Sequence, residues 1–141
     1  LYKEQIEPFI LNCFKSNDRA LRYRLLIATN EYATKVDRET VRGKIFADAC
    51  AGFGDQNSSL REATIQAMVS LAPVLDPAVV QDRLAISLMK CLKDVEPSIR
   101  TNTVICFGKI APYMSSPGVV LRGAFGTALN VGRSSVETRR C

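Results

Sequence analysis

The feature that most constrains this chain is an internal repeat. Three segments align in one register: Ser16 to Arg22, Asp55 to Arg61 and Asp94 to Arg100. Arg22, Arg61 and Arg100 stand 39 residues apart, and so do Leu21, Leu60 and Ile99. The same interval relates Leu26, Ile65 and Val104, and again Tyr32, Leu71 and Ile110, while Ala33, Ala72 and Ala111 are identical. Upstream, Ile6, Ile45 and Leu84 hold the same phase, as do Ile10, Ala49 and Leu88, and Phe14, Phe53 and Leu92. Within each repeat the apolar positions recur at three and four residues, the helical period. A helical repeat of this length cannot bury its apolar seam alone and is stabilised by stacking on its neighbours.

The expected elements are first helices over 3–14, 42–53 and 80–92 and second helices over 19–33, 58–72 and 97–111. Pro73 and Pro112 follow the aligned alanines, where a helix must end. Pro97 suits the first turn of its helix. Ser59 and Glu62 have the spacing of a capping box. No stretch alternates like a strand. The fold class is therefore all-α, an α-solenoid of about three helical hairpins over 1–39, 40–78 and 79–118, together one domain. Residues 119–141 are expected to be a degenerate partial repeat with a basic tail. There Gly123 and Thr127 take helical positions, with Gly126 and Gly132 nearby, although an arginine recurs in phase at Arg139. Each interior glycine costs about 1 kcal/mol relative to alanine.

Charge bears on partners through its location. Residues 1–118 carry 15 basic and 13 acidic side chains, a net of +2. The next 23 residues add four arginines against Glu137, a further +3. A nearly balanced body argues against a nucleic-acid or membrane footprint over the fold. The five cysteines lack any CxxC spacing and sit mostly on apolar faces, which points to a reducing compartment and the cytoplasm. No secretory signal and no apolar run of membrane-spanning length is legible.

Catalytic chemistry finds little to work with. Histidine is absent, which removes Ser–His and Cys–His pairs and the commonest zinc sets. Gly108-Lys109-Ile110 lacks the remainder of a phosphate-binding loop, and no protein-kinase signature occurs. Glu4 and Glu7 read as a solvated face, Cys91 and Cys106 as core thiols, and Ser115-Ser116-Pro117 as a loop with a possible phosphorylation site. No enzyme, cofactor or metal is expected.

Two sets of residues carry the remaining interest. Asp55 and Asp94 fall in the turn between paired helices, six residues before Arg61 and Arg100. Carboxylates there can accept from free amides at a helix start. The arginines, Arg22 included, can pair with them or with a neighbouring repeat's turn, giving a structural ladder. The second set is a face of the second helices, with Tyr23, Glu62 and Thr101 in one row, Ile27, Gln66 and Ile105 in the next, and Glu31, Ser70 and Lys109 beyond. Its mixture of polar and apolar side chains suits protein partners.

An Asp in the turn, then an apolar residue and an Arg five and six positions later, resembles the HEAT repeat. Ser16 replaces the Asp in the first unit, and Pro8 stands at the proline position common in HEAT first helices; Ala47 and Ile86 stand there in the other two. The chain further resembles the HEAT region of the Scy-like pseudokinases in Leu1 to Gln5, Ser16 to Ala20, Leu71-Ala72-Pro73, the run Glu96-Pro97-Ser98-Ile99-Arg100-Thr101-Asn102-Thr103, and Gly108-Lys109-Ile110. The likeness covers residues 1–118 and implies a non-catalytic scaffold without its kinase-like domain. It implies a role in COPI-linked traffic between Golgi and endoplasmic reticulum, with coat components or self-association as partners and a Golgi-associated location. Some family members are associated with tRNA export, so RNA binding is the alternative. An unrelated HEAT scaffold fragment is a third reading. An RNA-binding face should be basic and aromatic, whereas these rows include Glu31 and Glu62 and the chain has no Trp.

Overall fold

The computed structural model describes the backbone of residues 2–140 and the side chains of 2–130. Among these residues there are eight helices and no strand. Helix α1 covers 2–15, α2 is Arg19–Ile27, α3 is the short turn Thr29–Tyr32, α4 covers 38–54, and α5 is Ser58–Leu71. Helix α6 covers 77–91, α7 is Pro97–Ile110 and α8 is Pro117–Arg140. The chain divides into two compact units, residues 1–76 and 77–141.

In the first unit, α2 packs along α5, α1 packs on both α2 and α4, and α3 lies on the later part of α5. The seam consists of residues already in phase in the sequence. Ile10, Phe14, Leu26, Tyr32, Val41, Ile45, Leu60, Ile65, Met68 and Leu71 are all buried. In the second unit α6 packs on α7, and α8 packs on both. Val80, Leu84, Leu88, Leu92, Ile99, Phe107 and Ile110 make its core. A buried large apolar side chain contributes roughly 1.5–3 kcal/mol, so these seams supply the stability.

The first helix of each repeat carries a wider, π-wound turn at the same place: Tyr2–Ile6, Val41–Ile45 and Val80–Leu84, the last two following one short α-turn. Its signature is a bond across five residues, Phe46 N to Val41 O and Ala85 N to Val80 O. Apolar periodicity alone did not foretell this, because a single wide turn shifts the phase by only one residue. The second helices end as expected. Past Leu71 and Ile110 the chain tightens into 3-10 turns, Ala72–Val74 and Ala111–Tyr113, that hold Pro73 and Pro112. Pro97 occupies the first turn of α7.

Two expectations need correction. Helix α5 is capped by Asn57, whose Oδ1 accepts from Ser59 N and Leu60 N, and not by a Ser59–Glu62 box. The helix begins two residues earlier than that box requires. Glu7 is not on a solvated face: it is buried, and its Oε1 accepts from Asp37 N at 2.6 Å. Glycines notwithstanding, Pro117–Arg140 is one continuous helix. Ala124 on α8 is buried.

At Gly52, α4 lies tight against Thr64 of α5. A Cβ there would collide with Thr64 Oγ1, which is fully buried and donates to Leu60 O. Gly54 faces open space. Gly52→Ala should therefore lower stability by about 1–3 kcal/mol, while Gly54→Ala should stay within about 0.5 kcal/mol of the parent. Urea unfolding followed by circular dichroism compares the two, and equal values would contradict this packing.

Tyr32 supplies a second check. Its hydroxyl donates to Leu25 O at 2.9 Å. Burial, eased by the hydrogen bond to Thr29, pushes its pKa from 10.0 to about 12. A raised folded-state pKa gives stability that is complete below pH 10 and lost as pH rises toward 12. In that window Tyr32→Phe should shallow the pH dependence of stability, by up to about 1.4 kcal/mol per pH unit.

Candidate partner-binding face

The turn between paired helices uses one geometry three times. Ser16 Oγ accepts from Asp18 N at 3.1 Å, Asp55 Oδ1 from Asn57 N at 2.8 Å, and Asp94 Oδ1 from Glu96 N at 3.0 Å. A side-chain oxygen two residues before the cap thus holds the turn, and serine substitutes for aspartate because either supplies the acceptor. Arg61 Nη1 donates to Asp55 O and Gln56 O, and Arg100 Nη1 donates to Asp94 O and Val95 O. The arginine six residues on thereby satisfies the turn's carbonyls.

Arg22 occupies the equivalent position in the first repeat and reaches forward. Its Nη2 lies 3.7 Å from Asp55 Oδ2, and Arg19 Nε lies 3.4 Å from Asp55 Oδ1. The Asp55 side chain is only 8% exposed, against 25% for Arg22 and 55% for Arg19. One carboxylate therefore ties the start of α2 to the turn before α5. Removing it leaves Arg22 half-buried without its counter-charge and frees the Asn57 amide.

A second set of polar ties escaped the sequence reading. Glu7 holds the Asp37 amide; Arg42 Nε donates to Val74 O at 2.9 Å and pairs with Asp76 at 3.1 Å; Gln81 Oε1 accepts from Ser116 N at 2.6 Å. Each comes from a first helix and fastens the loop that follows the second helix, about 30–35 residues later. Arg42 and Gln81 are 39 apart and would have signalled the position, but an acid, a base and an amide share no pattern by type.

The face proposed for partners is placed as follows. On α2, Arg19, Tyr23 and Ile27 succeed one another at four-residue spacing, with Ala20 and Arg24 beside them. Tyr23 is 39% and Ile27 47% exposed. With Asn57, Ser59 and Leu60 at the start of α5, they wall a groove of about 570 Å³. Glu62 is half-buried and Gln66 exposed on α5, and neither lines that groove. In the second unit Thr101, Ile105 and Lys109 follow one stripe of α7, all exposed. The groove therefore selects Tyr23 and Ile27 from the expected first-unit face and adds Arg19, Arg24, Asn57 and Ser59. The spacing of Arg19, Tyr23 and Ile27 was the available signal. Arg139, Arg140 and Cys141 lie outside the described side chains.

Reactive groups are muted. Burial, with Cys91 nearby, pushes the Cys106 thiol to about 12. Among the described residues no three His, Cys, Asp or Glu side chains are placed to hold a metal, and no helix is long and apolar enough to cross a membrane. Asp55→Ala should cost about 1–3 kcal/mol through the stranded Arg22 and Asn57 groups. Asp76→Ala, which removes an exposed pair, should change stability by less than about 1 kcal/mol. Thermal and urea denaturation distinguish the two, and a cost for Asp76 equal to that for Asp55 would contradict the difference in burial.

A HEAT-repeat family profile matches residues 87–114, within the third repeat. The chain is 37% identical over 134 residues to "Probable inactive serine/threonine-protein kinase scy1" of Dictyostelium discoideum, covering 91% of this chain and 16% of that protein. Among solved structures it resembles that described as "Crystal structure of Cex1p", with a TM-score of 0.83, 25% identity and coverage of 89% of this chain and 25% of that one. The fold is thereby a HEAT-type α-solenoid. Neither relative is spanned beyond a quarter of its length. Over the region it spans, this chain is similar to the HEAT-repeat part of the Scy-like pseudokinases.

Proposed function

We propose that this chain is a non-catalytic protein-interaction scaffold that acts in COPI-linked traffic between Golgi and endoplasmic reticulum. The observation that carries the reading is the partly apolar, accessible stripe of α2, where Tyr23 and Ile27 stand exposed above a formed groove. Aromatic and aliphatic side chains held on a rigid helix present binding area at little entropic cost. The inactive-kinase name of the Dictyostelium relative supports a role without turnover. The ladder of Arg22, Asp55, Arg61, Asp94 and Arg100 serves this function by fixing the turns, and takes no part in binding itself.

The partner-binding side chains Tyr23, Glu62, Gln66, Thr101 and Lys109 fall within residues 1–118, the three-repeat body. Residues 119–141 act as its degenerate continuation, beginning with α8. COPI coat components are the partners of choice, met on the cytoplasmic side of Golgi membranes, and self-association is the other mode of assembly. RNA is disfavoured because α2 and α5 offer no long basic track with several exposed aromatics.

The test is binding of the purified chain to purified coat complex by biolayer interferometry, with tRNA as the competing ligand. Saturable coat binding that Ile27→Asp weakens about ten-fold is expected. Absence of coat binding, or salt-sensitive tRNA binding in its place, would sink the trafficking role.

A further inference from the structure

We infer that the groove between α2 and the start of α5 docks a short acidic segment of a partner protein, one that carries an apolar residue beside its carboxylates. This names the partner chemistry of the scaffold proposed above and rests on that reading.

The apolar half of the site is on α2. Ile27 is 47% exposed and Tyr23 39% exposed, both beside Leu60, which is buried. An aliphatic side chain laid over them removes this surface from water, which favours docking by roughly 25 cal/mol per Å² covered. The groove is open to solvent on one side, and its volume of about 570 Å³ lies within the range of roughly 300–1,000 Å³ that suits a small group of side chains.

The charged half is an excess of guanidinium. Asp55 is shared between Arg19 and Arg22. Asp18, the other carboxylate at this end of α2, already accepts from Ala20 N and Leu21 N. Arg24 is exposed, lines the groove and faces no carboxylate among the described residues. The groove itself is thus lined by two arginines, Arg19 and Arg24, and by no carboxylate. The attraction comes from these side chains and not from the helix terminus, because the first amides of α5 are taken by Asn57. Nucleic acid would call for a longer basic track and more stacking rings; a single carboxylate beside an apolar anchor matches what is present. Arg24 would receive the carboxylate as a two-pronged, charge-assisted pair.

The experiment is selection of a random dodecapeptide phage library on the immobilised full chain, followed by fluorescence polarisation with the enriched peptides. Expected are peptides with Asp or Glu next to Leu, Ile or Phe, whose binding falls about ten-fold for both Arg24→Glu and Ile27→Asp and is unchanged for Lys93→Glu, an exposed lysine of the second unit away from any binding stripe. Exchanging the peptide's acids for lysine should restore binding to Arg24→Glu, which separates charge pairing from misfolding. No enrichment, a basic or uncharged consensus, affinity indifferent to both α2 variants, or tRNA binding that Arg24→Glu abolishes would overturn the assignment. Coat binding that survives Arg24→Glu removes the groove and leaves the scaffold. Peptide selection without coat binding removes the trafficking partner and leaves the groove.

Discussion

The first unit depends on what happens where α2 meets α5. Neither helix is stable on its own, since a lone helix of nine or fourteen residues is marginal in water. Packing Leu26 against the seam that holds Leu60, Ile65 and Met68 supplies the burial. At the end of that seam Asp55 sits almost out of solvent, accepting a backbone amide while facing two arginines. A nearly buried carboxylate is tolerated only when it is paired and hydrogen-bonded. The turn that leads into α5 and the approach of α2 are therefore specified together.

Around this junction the chain separates two polar tasks. Within a turn, residues 16, 55 and 94 close a short loop with a side-chain oxygen, and Arg61 and Arg100 cover the remaining carbonyls. Between helices that are distant in sequence, Glu7, Arg42 and Gln81 fasten loops from first helices. The first task recurs with nearly the same residue types because the local backbone demands an acceptor at a set offset. The second varies in type because the group to be satisfied changes from an amide to a carbonyl, so any side chain of the right reach and polarity will do.

This difference explains how much could be read in advance. The helices, their pairing, the proline-marked ends and the buried phases of Leu60, Leu71, Ile99 and Ile110 follow from a 39-residue period, because burial acts on each repeat alike. The π-wound turns that begin at Val41 and Val80 were hidden, since they displace the apolar phase by one residue just where two adjacent residues, Ile45-Phe46 and Leu84-Ala85, are both apolar. The cap of α5 was misassigned because Asn57 and Ser59 are both competent caps. Only the path of the backbone, turned by Asp55, decides between them.

The sequence by itself determined the class of fold, the register of the hairpins and the absence of histidine, because these are matters of type and spacing along the chain. Tertiary structure alone decided which exposed residues act together. Tyr23 and Glu62 share a row by count, yet Tyr23 shares a groove with Asn57, Ser59 and Leu60. It also decided that Arg22 serves Asp55 while Arg24, two residues on, stands in solvent. The reason is geometric: two residues along a helix turn a side chain by about 200°, so neighbours of identical chemistry face a buried carboxylate or open water. Only the placement of the second helix settles which.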